Sequence, residues 1–70
     1  MSAEEEVILA WNDGDEAAFM DAFYQTKANM RTALIVKLTK EFRALKKSDS
    51  NYNAKQRMLD EARSASVLIS

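Results

Sequence analysis

This sequence contains one glycine, Gly14, and no proline, so the ends of its secondary structure must be read from caps and polar clusters. Gly14 stands between Asp13 and Asp15. A glycine can take the left-handed conformation that closes a helix, and Asp15 can cap the next helix at its positive end. The pattern predicts a first helix over about residues 3 to 12 and a new helix from about residue 16.

A second polar cluster occupies residues 48 to 53, with the composition Ser-Asp-Ser-Asn-Tyr-Asn. Such side chains compete with backbone hydrogen bonds and favour turns and caps. We expect Asn53 or Asn51 to cap a last helix that runs to about residue 68. Its apolar side then consists of Ala54, Met58, Leu59, Ala62, Ala65 and Ile69.

The middle segment, residues 16 to 47, carries two apolar stripes when it is drawn as one helix. Leu34, Leu38 and Phe42 lie on one arc, whereas Phe19 and Phe23 define a stripe that is rotated from it. A straight helix would therefore turn its apolar face from one neighbour to another, and the alternative is a break near residues 26 to 30.

We favour a continuous or gently bent middle helix, because Ala28, Met30 and Arg31 are good helix formers. If the helix breaks instead, Thr26 or Asn29 is the expected new cap. The resulting fold class is all-α, with a small three-helix, or four-helix, bundle or a helical hairpin with a long middle helix.

The chain has 70 residues and neither cysteine nor histidine. Small domains compensate for a limited core with disulfides, metals or oligomerisation, and only the last remains here. We therefore expect one helical domain over residues 1 to 70, completed by a second copy in a homodimer or by another protein. The alternative is a helical mini-domain that folds alone.

Charge is distributed unevenly along the chain, although the net charge is only −1. Residues 1 to 26 carry seven acids and no base, whereas residues 27 to 47 carry seven bases against the single acid Glu41. Two helices that attract each other would explain this pattern. A basic face kept for a polyanion would explain it as well.

Catalytic and metal chemistry find few candidate residues in this composition. General acid–base work usually falls to histidine, and nucleophilic or metal chemistry often to cysteine or histidine, and both are absent. The acidic turn at Gly14 does not fit a calcium loop, because Met20 would stand where the closing glutamate belongs. We expect no enzyme activity, metal, cofactor or small-molecule substrate.

Protein binding through apolar helix faces is the leading hypothesis, because aromatic and methionine side chains suit both cores and interfaces. The same residues would equally form an ordinary core. The candidate interface residues are Trp11, Phe19, Phe23, Leu34, Leu38, Phe42, Met58, Leu59, Leu68 and Ile69.

Nucleic-acid binding is the second hypothesis. Lys37, Lys40, Arg43 and Lys47 recur at intervals of three and four residues, so several of them could meet phosphates along a backbone at once. The solvated face of an amphipathic helix has the same appearance.

A third hypothesis follows from the run between Ile8 and Tyr24, which combines a leucine-bearing helix, a Gly-Asp turn and an alanine-phenylalanine-tyrosine helix. This run resembles the opening helical hairpin of sigma-70-type transcription initiation factors. The aromatic-rich helix with which such factors open promoter DNA has no counterpart, since Trp11 is the only tryptophan. The resemblance implies a small viral, phage or bacterial regulatory or structural factor that contacts the transcription machinery, or a larger assembly, without melting DNA.

Location is indicated only by absences. No apolar stretch approaches the ~20 residues of a membrane span, and Glu4, Glu5 and Glu6 stand where a signal peptide would carry positive charge. We expect a cytoplasmic protein without membrane contact, or one of the virion or host cytoplasm if the chain is viral.

Overall fold

The computed structural model describes the backbone of residues 2 to 69 and the side chains of residues 2 to 67. Over that range the chain forms four helices and no strand, which confirms the all-α prediction. The helices are α1 (Ala3–Asp13), α2 (Glu16–Tyr24), α3 (Ala28–Arg43) and α4 (Tyr52–Ile69).

The α1–α2 hairpin is closed by the turn predicted at Gly14. Gly14 has φ 71°, and its N–H donates to the Trp11 carbonyl while the Asp15 N–H donates to the Ala10 carbonyl. These two bonds form a Schellman motif, which satisfies carbonyls that the helix end would otherwise leave open. The Asp15 side chain then accepts a hydrogen bond from the Ala18 N–H at 3.1 Å, so the predicted cap of α2 is confirmed.

The long middle helix that we favoured is wrong. The chain leaves the helix after Tyr24, and Lys27, with φ −72° and ψ 150°, precedes α3 in extended conformation. Good helix formers such as Ala28 do lie in a helix, but their propensity says nothing about the residues before them. Neither alternative cap acts as expected, because Lys27 occupies the cap position and makes no side-chain capping bond.

Side chains around the break satisfy the end of α2. The Thr26 hydroxyl donates to the Phe23 carbonyl at 2.6 Å, and Thr26 is buried. Arg31 reaches back from α3, with Nε donating to the Phe23 carbonyl at 3.4 Å and Nη2 to the Tyr24 carbonyl at 3.1 Å. The break lets the two rotated apolar stripes face different neighbours, which one straight helix could not do.

The joint between α3 and α4, residues 44 to 51, is longer and is stabilised by contacts from its flanks. The rings of Phe42 and Tyr52 lie 4.8 Å apart between centroids, across the two ends of the joint. Asn51 precedes α4 directly, and its carbonyl accepts the first helical bond from the Lys55 N–H at 2.9 Å. Its side chain also lies against Gly14, so the joint touches the other hairpin.

The core lies where α2 packs against both α1 and α4, and α4 packs in turn against α3. All four helices contribute to its largest fully buried side chains, and Leu38 is the one that comes from α3. The molecule measures 33 × 24 × 17 Å along its principal axes. The buried hydrophobic residues are Val7, Ala10, Trp11, Phe19, Ala22, Phe23, Leu34, Leu38, Met58, Leu59, Ala62 and Ala65.

Candidate protein-binding surfaces

Seven of the ten predicted interface residues lie in the core of the single chain. Phe42 is half-buried, and the side chains of Leu68 and Ile69 lie outside the described residues. The others are at most 6% exposed, namely Trp11, Phe19, Phe23, Leu34, Leu38, Met58 and Leu59. Phe42 is therefore the member of this set that stays partly accessible among the described residues, and the surface offers further apolar side chains.

The predicted polyanion-binding residues are all exposed. Lys40 and Arg43 lie on α3 on the side away from the buried Leu34 and Leu38, and Lys37 lies at the edge of that side. Lys47 is exposed in the joint between α3 and α4. The structure thus places three of the four bases on one helix face and the fourth beyond its end.

The acidic first third and the basic middle do not pair with each other. Within residues 2 to 67 the ion pairs are Glu16 with Arg57, at 2.8 Å, and Asp60 with Arg63, at 3.9 Å. Neither joins residues 2–26 to residues 27–47. Attraction between these two segments was one explanation of the charge pattern, and the described part of the chain contains no such contact.

A groove between α1 and α2, which we call the acidic groove, combines carboxylates with an exposed leucine. Leu9 is 47% exposed, and Glu6, Asp13 and Asp21 are exposed around it. Asp15 also lines the groove but holds the cap of α2. The groove is completed by Ala10, Ala18, Ala22 and Gln25.

The outer surface of α3, which we call the basic face, has a related composition with the opposite sign. Val36 is 52% exposed, and Ala33 is exposed on the same side of the helix. Lys40 follows Val36 by one helical turn and Arg43 by two, and Lys37 lies at the edge of the same face. The exposed apolar side chain again stands among like charges.

The exposure of Leu9 and Val36 was missed by sequence reasoning, and the same signal could have found both residues. Leu9 lies two positions from the buried Val7 and Trp11, and Val36 lies two positions from the buried Leu34 and Leu38. Two positions correspond to about 200° around a helix, so each side chain lies opposite the core face. A large aliphatic residue at that position marks an apolar side chain in solvent.

The remaining cavities offer little chemistry. One contains Trp11, whose ring has the Lys55 Nζ 5.3 Å from its centroid, and another lies beside Met20 and Tyr24. These two cavities and the acidic groove are open, with volumes of about 300 to 380 Å³, at the lower end of small-molecule sites. No group of three metal-ligating side chains occurs in the described range. None of the helices as far as they are described is long and apolar enough to cross a membrane.

Comparison with known protein families, with curated proteins and with solved structures gave no match. The resemblance of residues 8 to 24 to a sigma-70-type hairpin therefore rests on those residues alone and stays a prediction.

Proposed function

We propose that this chain is a non-enzymatic helical protein that binds a basic amphipathic helix of another polypeptide in its acidic groove. The observation that carries the proposal is the exposure of Leu9 among the carboxylates of Glu6, Asp13 and Asp21. An apolar centre surrounded by charge is the arrangement of a binding surface, because the centre supplies affinity and the charges supply orientation.

A helix fits this groove better than an extended strand. Helix-in-groove recognition uses apolar anchors three and four residues apart on the ligand. The groove is lined by the alanines Ala10, Ala18 and Ala22, whose short side chains leave room for a helix. A peptide that binds by strand addition would need a free sheet edge, and the described residues contain no strand.

Positive charge on the ligand follows from the composition of the hairpin. Seven acids and no base occur in residues 1 to 26, and only Glu16 of these forms an ion pair within the described residues. A basic helix would be steered to this surface by long-range attraction, and its binding would weaken as salt rises.

The test uses a synthetic amphipathic peptide of leucine and lysine and measures its affinity by titration calorimetry. Completing the burial of a half-exposed leucine is worth about 1 kcal/mol, so Leu9→Ser should weaken binding roughly fivefold. Val36→Ser is the matched control, since it removes an equally exposed aliphatic side chain from α3. Loss of binding in the control together with full binding in Leu9→Ser would reject the groove.

Polyanion binding by the basic face is a second candidate function. The observation in its favour is that Lys37, Lys40 and Arg43 are exposed and take part in none of the ion pairs of the described residues. With duplex DNA as the probe, affinity should fall steeply as salt rises, because phosphate neutralisation releases counterions. Binding that ignores salt, or that survives Lys37→Glu with Lys40→Glu, would remove this candidate.

A further inference from the structure

We propose that the basic helix received by the acidic groove is α3 of a second copy of this chain, which docks through its basic face. This inference rests on the proposed function and names its partner. The two surfaces have matching parts, because Leu9 stands among carboxylates on one and Val36 stands among lysines and an arginine on the other.

The spacing of the charges supports the match. Glu6 and Asp13 flank Leu9 on α1 and are seven residues apart, which corresponds to about 10.5 Å along the helix. Lys40 lies four residues beyond Val36 on the same side of α3, about 6 Å along the helix, just as Asp13 lies four residues beyond Leu9. When Val36 of one copy meets Leu9 of the other, Lys40 can therefore reach a carboxylate beside Leu9.

The choice of a second copy over a foreign helix follows from what each would leave uncovered. A foreign basic helix would cover Leu9 and leave Val36 and the bases of α3 in solvent. A second copy covers Leu9 and Val36 together and brings the acidic segment of one chain to the basic segment of another, which share no ion pair within the described part of one chain. The net charge of −1 means that such association accumulates little charge.

The contact joins two different surfaces, the acidic groove of one copy and the basic face of another. A reciprocal pair, in which each groove receives the α3 of the other copy, closes as a two-fold dimer, and otherwise the contact repeats from copy to copy. Either assembly also adds buried apolar area to a chain that is small and has no disulfide.

Charge reversal tests the inference with two variants of the full chain. The groove variant carries Asp13→Lys and Asp21→Lys, and the face variant carries Lys37→Glu and Lys40→Glu. Asp13 is the last residue of α1, where a lysine suits the negative end of the helix, so the substitution does not strain the fold. The mass of each sample is measured by light scattering after size exclusion.

We expect the wild type to exceed the monomer mass at low salt and to approach it at about 1 M salt, where the Debye length is about 3 Å. Each variant alone should be folded by circular dichroism and monomeric by light scattering, because its groove and its basic face then carry charge of the same sign. An equimolar mixture of the two variants should associate again, since each groove then meets a face of opposite charge.

Matched controls reverse two charges outside both surfaces. Asp60→Lys with Glu61→Lys alters two exposed acids of α4, and Lys46→Glu with Lys47→Glu alters two exposed bases of the joint. Both controls should associate as the wild type does. Association that survives reversal of the groove, or a mixture that stays monomeric, overturns the inference.

Failure of the inference and failure of the proposed function give different results. A wild-type chain that stays monomeric at millimolar concentration but binds the leucine–lysine peptide in its groove overturns only the second copy as partner. A monomer that also ignores the peptide overturns both.

Discussion

The two hairpins of this protein are closed by different means. Between α1 and α2 the turn consists of Gly14 and Asp15, and its hydrogen bonds reach at most five residues along the chain. Between α3 and α4 the joint covers residues 44 to 51, and a ring contact between Phe42 and Tyr52 spans it. The first closure is local, whereas the second adds a contact between separate helices to local bonds of its own, such as that from the Asn51 N–H to the Asp49 Oδ1 at 2.8 Å.

The core of the first hairpin is aromatic, whereas that of the second consists of aliphatic and small side chains. In the first, Phe19 lies between Trp11, with centroids 6.1 Å apart, and Phe23, at 5.9 Å. In the second, Leu34 and Leu38 of α3 face α4, whose buried residues include the small Ala62 and Ala65. We infer that the α1–α2 hairpin is the more strongly specified half, on which α4 and then α3 assemble.

The largest expected effect comes from removing the ring at the centre of the first hairpin. Phe19 is fully buried, and truncation of a buried phenylalanine costs about 3–5 kcal/mol, which is close to the whole stability of a domain this small. Phe19→Ala should therefore leave the chain largely unfolded by far-ultraviolet circular dichroism, and Phe19→Leu should remain folded with a lower urea midpoint.

Tyr24→Ala is the control in the same helix, because its ring is 54% exposed. It should be almost as stable as the wild type. Leu38→Ala extends the comparison to the second hairpin, where the cost is about 2–5 kcal/mol. Urea unfolding of Leu38→Ala is followed by Trp11 fluorescence and by helicity. If the fluorescence midpoint stayed at the wild-type value while the helicity midpoint fell, the hairpins would unfold separately and a shared core would be rejected.

The next effect concerns the point at which the hairpins touch. At Gly14 a left-handed conformation costs an ordinary residue about 1–2 kcal/mol, and an added Cβ would lie 2.7 Å from the Asn51 Oδ1. Gly14→Ala should therefore destabilise the protein by more than the backbone cost alone, as measured by urea unfolding.

A double-mutant cycle with Asn51→Ala separates the two causes. Removing the Asn51 side chain should relieve the crowding and leave the backbone cost, so the two single effects should not add. Strictly additive effects would show that Asn51 simply moves aside, and the contact between the hairpins would then carry no energy.

Features of the fold that depend on neighbouring residues were predictable from the sequence, whereas a feature that depends on a distant contact was not. The turn at Gly14 and the cap at Asp15 were predicted correctly because each acts on residues beside it in the chain. The break after Tyr24 was given only as the alternative, because Arg31, which donates to the carbonyls of Phe23 and Tyr24, acts only once α3 has turned back toward α2. Residue propensities contain no information about a contact of that kind.

The candidate surfaces were predictable to a similar degree. The exposure of Lys37, Lys40 and Arg43 was expected from their spacing on α3. The acidic groove was not, because it exists only when α1 and α2 lie side by side and bring Asp21 close to Leu9 and Asp13. Leu9 could have been recognised alone, but its carboxylate neighbours on α2 could not.

A smaller effect is expected at the break between the hairpins. Arg31→Met keeps the length of the side chain and removes its hydrogen bonds to the end of α2. A bond from a charged donor is worth about 1.5–3 kcal/mol, and water can replace much of it at this half-buried position, so we expect a loss of about 1 kcal/mol. Amide hydrogen exchange should quicken at the end of α2.

Lys37→Met is the matched control for Arg31→Met, because it makes the same change at an exposed position of the same helix. It should leave exchange in α2 unaltered. If Arg31→Met instead raised the helix content, the guanidinium would be what interrupts a helix that could otherwise continue through residues 25 to 27.

The smallest effect is expected at Arg57, whose Nε lies 2.8 Å from Glu16 Oε1 and joins α4 to α2. This is the ion pair that links the two hairpins within residues 2 to 67, yet its side chains are 58% and 38% exposed, and water screens such pairs strongly. Arg57→Gln should hardly change the urea midpoint at low salt, and any difference should vanish at high salt.

The pH dependence of this pair is equally weak in the usable range. The hydrogen bond from Arg57 to Glu16 raises the pKa of Arg57 above its already high ordinary value. A raised pKa in the folded state adds stability that is present below the unfolded pKa and lost only as pH rises through the folded one. The difference in stability between wild type and Arg57→Gln should therefore stay constant between neutral pH and pH 10.

If Arg57→Gln instead unfolded the chain, a surface ion pair would hold the hairpins together, and the shared apolar core would no longer explain their association.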